Sequence, residues 1–418
     1  MQAVILAAGK SDRFYPYVSF GHKSMVSLMG KPLLQHTLEA LRHAKFSHVI
    51  IVIAKDSLIP QQLKDIPGLS VAYVVQNKPL GMGHALLQVE KRLEETFFLL
   101  SGYHVDIADF SRDMMKMQDA KEKIVLLAKD DTFLEQYGVL ETDGDKVLSV
   151  VERPKKSGKM GLRVVGMYLL NKTFMQTLRA LPLEHYHFEK ALDTYAKLGH
   201  IVYCKTEKPT ITLKYGWDLL QVKDYLLSKI KRSISPKSYI AKNAIIEGNV
   251  VVSDNVRILE GACIKGPCFL GENVIIGNNA ILRNGVVIES LSVVGATMEV
   301  KNSLLMTKTT THTGFIGDSI IGAYSRLAAG FCSANVRFDR KEVVAKVKES
   351  KRDTQRIHMG AVVGEYVDTG INVSTMPGIT IGNHVTIGPG TTVMENVDDG
   401  VVIYTKFNTV IKKKSHNE

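Results

Sequence analysis

The chain has 418 residues, 45% of them apolar and 23% charged, with a mean hydropathy near zero, a composition suited to two or three globular domains. Its 53 Lys and Arg outnumber 42 Asp and Glu to give +11, yet the basic residues are scattered apart from runs at Lys341–Arg356 and Lys412–Lys414. No aromatic-interleaved basic stripe or zinc-finger spacing accompanies them, so nucleic acid is not the expected partner, and charge alone does not decide between an anionic surface and small phosphorylated substrates.

No stretch reaches the ~18–20 uninterrupted apolar residues of a spanning helix, so no membrane partner is expected. The opening MQAVILAAGKSDR lacks the basic start and long apolar centre of a secretory signal. Four cysteines, Cys204, Cys263, Cys268 and Cys332, form neither a disulfide framework nor a metal pattern, and a cytoplasmic location is expected.

Residues 1–230 read as alternating strands and helices. Ala3–Ala8 is a buried-type strand, and Lys31–Ala44 carries Leu33, Leu34, Leu38 and Leu41 at helical spacing. His48–Ala54 (HVIIVIA) is a second continuous apolar strand, followed by strands at Ser70–Val75 and Phe97–Leu100. Such runs separated by amphipathic helices imply an α/β sheet covered on both faces. Trp217–Ile230 returns to helical spacing as a closing helix, and residues 231–239, with SISPK, are expected to be a linker.

From Ile240 the period changes to six. Ile240, Ile246, Val252, Ile258, Ile264, Leu270, Ile276, Leu282, Ile288, Val294 and Val300 recur at every sixth place. Two places before them stand Ala244, Val250, Val256, Ala262, Cys268, Val274, Ala280 and Val286. That period suits neither a helix nor a two-faced sheet, and predicts a solenoid of short strands over 240–411. The register falters between Met306 and Arg356 and resumes at Val363, Thr369, Thr375, Ile381, Ile387 and Val393. The polar insert Asp339–Arg356 is expected to project as a binding loop or as a solvated β-hairpin without a ligand role. Residues 412–418 read as a tail.

The turn Leu6-Ala7-Ala8-Gly9-Lys10-Ser11-Asp12-Arg13 follows the first strand directly. Its small residues let backbone N–H groups approach an anion, and Arg13 adds a fixed positive fork, with Lys23 and Lys31 beyond. Neither the P-loop nor the dinucleotide spacing fits.

LAAGKSDRF, HKSM, GKPLL and QNKPLGMGHAL, in that order, together with Tyr137-Gly138, Glu152-Arg153-Pro154 and Gly166-Met167-Tyr168, resemble the sugar-1-phosphate nucleotidylyltransferase family. The resemblance implies a Rossmann-like α/β domain that joins a sugar-1-phosphate to the α-phosphorus of a nucleoside triphosphate (UTP or dTTP) and releases pyrophosphate. It implies that Ala8, Gly9 and Arg13 cradle the triphosphate and that Lys23 stabilises charge during displacement. Gln76 and Gly81 would address the base, and Gly138, Glu152 and Tyr168 would line the sugar pocket. It also implies Mg²⁺, held in the family by an Asp that here is Tyr103 and by a second group that here is Thr212. Asp106 is the nearby carboxylate that could serve instead, two residues on and so ~6–7 Å along an extended chain. Met82, and Ser11-Asp12, are further departures from the family pattern.

The hexapeptide half resembles left-handed parallel β-helix acyltransferases. His312-Thr313-Gly314-Phe315-Ile316-Gly317-Asp318-Ser319 and Ser333-Ala334-Asn335-Val336-Arg337-Phe338-Asp339 are similar to elements of the acetyltransferase half of bifunctional, archaeal-type N-acetylglucosamine-1-phosphate uridylyltransferases. The resemblance implies acetyl transfer from acetyl-CoA to an aminosugar phosphate, with His312 as general base, Asn335 binding the sugar and Lys341, with Lys346, its phosphate. Phe315 stands where that family has a Tyr. A homotrimer built through the β-helix is implied as well. The alternative is a catalytically silent regulatory or scaffold subunit that binds nucleotide or sugar phosphate.

Overall fold

A computed structural model describes residues 1–17, 21–118, 123–154, 159–184, 186–347 and 350–412, and the residues expected to form the tail beyond Lys412 lie outside them. The chain divides into two compact units, Met1–Leu226 and Leu227–Glu418. Among the described residues no helix is long and apolar enough to cross a membrane, and the four cysteines are free thiols.

The first unit is built on a nine-stranded mixed sheet. Gln2–Ala7 pairs in parallel with His48–Ala54 on one side and Thr96–Ser101 on the other, and Ser70–Gln76 extends the first side. Gly161–Asn171 runs antiparallel to both Thr96–Ser101 and Ile124–Asp131. Alternate residues of the first strand face opposite cores. Val4 joins Val52, Leu99, Leu126 and Phe174, whereas Ala3 and Ile5 join Ile51, Leu38, Phe98 and Phe110. The continuous apolar runs are explained by burial on both faces. The helix Leu33–His43 turns Leu33, Leu34, Leu38 and Leu41 inward, as its spacing predicts. Strand order changes direction beside Gln2–Ala7, which opens a crevice at the carboxyl ends of the parallel strands.

The second unit is a left-handed parallel β-helix whose three sheets hold, among the described residues, eight, nine and eight strands. Val250 pairs with Cys268 and Cys268 with Val286, so these coils consume eighteen residues, or three hexapeptides. The sixth-place residues Val252, Ile258, Ile264, Leu270, Ile276, Leu282 and Ile288 stack inside, with the small residues two places earlier. Corners are turned by residues at positive φ, among them Asn255, Asn273, Asn279 and Asn284, the residue type that best tolerates this conformation apart from glycine.

Two details depart from the sequence reading. Ser233–Ile234, inside the stretch expected to be a linker, is already a strand of one solenoid sheet. The faltering register also has a geometric cause. Leu304 pairs with Ile320 and Thr310 with Arg326, only sixteen residues on. Across the sixteen-residue step the buried Ser303 hydroxyl accepts the Ser319 N–H, and across the forty-two-residue step that contains the insert the Ser319 and Ser325 hydroxyls accept those of Ala361 and Val367. The helix continues through polar inner positions that the apolar pattern does not reveal. The insert forms an antiparallel hairpin, Val344–Val347 with Ser350–Asp353. It is not solvated all round: Val343 and Ala345 are buried, and the Lys346 carbonyl accepts from Asn396 Nδ2 at 2.8 Å.

Leu270 stacks between Val252 and Ile288 of the adjoining coils. Leu270→Ala should destabilise the unit by about 2–5 kcal/mol through the cavity it leaves, read from urea denaturation followed by circular dichroism. The same change at exposed Ile245 should cost far less.

Candidate active site

The carboxyl ends of Gln2–Ala7, His48–Ala54, Ser70–Gln76 and Thr96–Ser101 surround two adjoining cavities. One, of about 590 Å³, is lined by Leu6, Ala8, Gly9, Arg13, Lys23, Gln76, Gly81, Met82 and Ser101 among others. The second, of about 630 Å³, shares Ala8, Gly9, His22 and Gln76 and adds Lys55, Asp56, Ser57 and Asn77. Six residues singled out from sequence, Ala8, Gly9, Arg13, Lys23, Gln76 and Gly81, therefore meet at one cavity.

Local structure explains each placement. A Cβ at Gly9 would meet nothing within 4 Å, so the space over its backbone is open to a ligand. Ser11 turns the chain at φ 39°, and its Oγ accepts the Lys23 N–H at 3.0 Å, which ties the glycine turn to the lysine loop. Gly81 adopts φ +99°, a conformation that excludes most side chains, and its carbonyl accepts from Gln76 Nε2 at 3.2 Å. Gln76 Nε2 also lies 2.8 Å from His84 Nδ1, which fixes the amide at the cavity wall.

Gly138 and Glu152 face each other across a hairpin. A Cβ at Gly138 would lie 3.2 Å from Glu152 Oε2, so glycine leaves room for that carboxylate. Burial raises the Glu152 pKa, opposed by Arg153, Lys214 and Arg13. Tyr168 is placed differently from the expectation of a pocket wall. It is 8% exposed, packs edge-on against Phe188 and belongs to a hydrophobic core. Gly166, at φ +91°, lies where the strand register shifts just before it.

The charges around the first cavity are mostly positive. Lys23 Nζ donates to the Leu213 carbonyl at 2.6 Å and lies 4.7 Å from the centroid of the Tyr103 ring. Burial and then the Arg13 guanidinium lower its pKa to about 8, with Asp218 opposing. Sequence reasoning missed Lys214, which lies outside the lining of both cavities but within electrostatic reach of Arg13. Its Nζ donates to the Gln136 carbonyl at 2.5 Å and lies 3.3 Å from the Tyr137 ring centroid. Burial, then Arg13 and Arg163, lower its pKa to about 7. Asp218 was missed too; its Oδ2 accepts the N–H groups of Lys214 at 2.6 Å and Tyr215 at 2.9 Å and so shapes this turn. The observed helix is Leu219–Lys229, so Asp218 falls just ahead of it although the sequence reading placed it inside a helix starting at Trp217.

The residues present do not fit the Mg²⁺ that the resemblance implies. Burial raises the Tyr103 phenol to about 12, so it remains a neutral group rather than an anionic ligand. Thr212 hydrogen-bonds Tyr137. Asp106 is corrected as the substitute carboxylate: it is fully buried, Oδ2 accepts the Ile211 N–H at 3.0 Å, and Oδ1 faces His104 Nδ1 at 3.3 Å. Its carboxylate is committed to holding the segment before Thr212. Among the described residues no group of three or more His, Cys, Asp or Glu could hold a metal ion.

In the β-helix, His312 is exposed between the strands Thr310–Thr311 and Gly314–Gly317. Asn335 Nδ2 donates to Asp318, which also accepts from Asn302 at 2.6 Å and Lys301 at 3.0 Å. Burial would raise the Asp318 pKa, but these donors outweigh it and lower it. His312 precedes Gly314–Gly317, whereas Asn335 lies beside Gly317, so the strand, ~10 Å at the usual rise, separates them within one chain. Lys341 is exposed, with its N–H on Asp339 Oδ1 at 3.2 Å, and Asp339 in turn takes the Arg337 guanidinium in a two-pronged pair.

Comparison with known proteins places these features in context. The profile of the family described as Nucleotidyl transferase matches residues 2–224. Two proteins named Bifunctional protein GlmU, from two strains of Methanococcus maripaludis, are 32% and 34% identical over 427 residues, covering 99% of this chain and all of theirs. A Bifunctional sugar-1-phosphate nucleotidylyltransferase/acetyltransferase from Sulfurisphaera tokodaii is 28% identical over 408 residues, covering 96% of this chain and 99% of that one.

Because Lys214 and Lys23 are cationic below about 7 and about 8, anion affinity should fall as pH rises through those values. Titration with sulfate, whose charge is constant over this range, should show weakening between pH 6 and 9. Lys214→Met should remove the lower inflection, whereas a flat profile would contradict the assignment.

Proposed function

This chain belongs to the nucleotidyl transferase family, and from that premise we propose that its first unit transfers a nucleotidyl group from UTP or dTTP to a sugar-1-phosphate, while its β-helix transfers acetyl from acetyl-CoA to an aminosugar phosphate. The meeting of Ala8, Gly9, Arg13, Lys23, Gln76 and Gly81 at one cavity carries the reading. Full-length similarity to proteins named for both activities supports it.

In the first reaction a phosphate oxygen of the sugar ester attacks the α-phosphorus. The bond from that phosphorus to the α,β-bridging oxygen breaks, and pyrophosphate leaves. The Ala8–Gly9 turn receives the triphosphate through its backbone, and Arg13 and Lys23 stabilise the charge that develops on the phosphoryl oxygens. The Gln76 amide and the Gly81 backbone meet the base. Gly138 leaves space for Glu152 to accept hydrogen bonds from sugar hydroxyls, and Tyr168 supports that wall from the core. In the second reaction the sugar amine attacks the thioester carbonyl, His312 takes its proton, and coenzyme A leaves as thiol. Asn335 orients the sugar, and Lys341 pairs with its phosphate. Assembly as a homotrimer through the β-helix would let residues of different copies complete this site.

A second reading, a subunit that binds nucleotide or sugar phosphate without turnover and serves regulation or scaffolding, is favoured by Tyr103 and Thr212 at the metal positions. Pyrophosphate release from UTP or dTTP with a panel of sugar-1-phosphates separates the two. Turnover is expected, and Arg13→Ala or Lys23→Ala should lower it by about 10²-fold or more. Saturable nucleotide binding with no release across the panel would instead establish the second reading. In a thiol-release assay with acetyl-CoA and glucosamine-1-phosphate, His312→Ala should abolish turnover; an undiminished rate would remove His312 as the base.

A further inference from the structure

We propose that this chain holds the phosphates of its nucleotide with three resident cations, Arg13, Lys23 and Lys214, in place of a divalent metal ion, so that nucleotide binding does not require metal. The inference rests on the nucleotide reading above and concerns how the ligand's charge is met.

The donor set is the first argument. A hard divalent cation needs several anionic or carbonyl oxygens free to turn toward it. At the two family metal positions stand a phenol and a threonine hydroxyl. Asp106 is sealed beneath them by the Ile211 N–H and His104. Asp218 directs Oδ2 into two backbone N–H groups.

The arrangement of the cations is the second. Lys23 bonds the carbonyl of Leu213, the residue adjoining Lys214, so one short segment positions both ammonium groups. Each ammonium is steadied by a phenol ring, Tyr103 for Lys23 and Tyr137 for Lys214. Arg13 acts electrostatically on both, and it lines the same cavity as Lys23 and Ser101. Three positive groups set against the carboxylates of Asp218 and Glu152, the latter also facing Arg153, leave a net positive site that disfavours an added dication and favours a polyanion. The depressed lysine pKa values agree, since mutual repulsion and burial are relieved when an anion arrives. A lysine offers such an anion a compact point charge with three donors, and one hydrogen bond to a carbonyl leaves two for phosphate.

The test is calorimetric titration of the full-length protein with UTP, once with excess EDTA and once with millimolar magnesium. The two dissociation constants should agree within about threefold. In EDTA, Lys214→Met should weaken binding by about tenfold or more, whereas Lys214→Arg should retain most of it. Thermal melting of both variants reports whether they are folded. Tyr103→Asp, which restores a carboxylate at the metal position, should create a magnesium enhancement that the natural chain lacks. UTP binding seen only with magnesium would overturn the inference and leave the nucleotide reading standing. Binding in neither condition would overturn both, and a folded Lys214→Met with unchanged affinity in EDTA would remove Lys214 from the site.

Discussion

The first unit depends on keeping several positive charges together, partly out of water, at the ends of parallel strands. Lys23 and Lys214 lose hydration there and feel Arg13 as well, so their protonated forms are held against both burial and repulsion. What keeps them in place is a set of fixed dipoles and rings: the carbonyls of Leu213 and Gln136, and the phenols of Tyr103 and Tyr137. Asp218 contributes twice, as a compensating charge and as the cap that bends the chain through Lys214 and Tyr215. The remainder of the site is arranged to receive a ligand of opposite sign. Gly9 exposes its backbone, and Gln76 is immobilised at the wall by Gly81 and His84.

The β-helix solves a different problem. A coil of eighteen residues buries two apolar side chains per hexapeptide, the sixth-place residue and the small one two places earlier, and its stability accumulates from neighbour to neighbour. Where a coil shortens to sixteen residues the Ser303 hydroxyl takes up a backbone N–H, and Ser319 does the same across the coil that carries the insert. The shortened coils include the segment that carries His312, Phe315 and Asp318. Asp318 gathers Lys301, Asn302 and Asn335 from adjoining coils and so organises the polar edge that the proposed acetyl transfer would use.

Much of this was legible from residue order. The period of six named the inner positions of the solenoid individually, because each inner side chain must recur at the same corner distance. The strands at Gln2–Ala7 and His48–Ala54 and the helix at Leu33–His43 follow from burial patterns that local periodicity records. The family resemblance named the six residues that meet at one cavity; the strand and its glycine turn are local features, whereas Gln76 and Gly81 came from the family motif alone. Tyr168 was harder to place: its motif marks a glycine beside a register shift, and only packing against Phe188 assigns the ring to the core.

Sequence alone determined the two-part architecture, the hexapeptide register and the glycine turn that follows the first strand, because each is encoded by neighbours a few residues apart. Tertiary structure decided the rest. Lys214 comes within electrostatic reach of Arg13 across some two hundred residues, Asp106 turns away into a hydrogen bond with Ile211, and Ser233 begins the solenoid instead of a linker. Charge, burial and hydrogen-bond partners act through space, and no local pattern specifies which distant side chain will stand within a few ångströms of another.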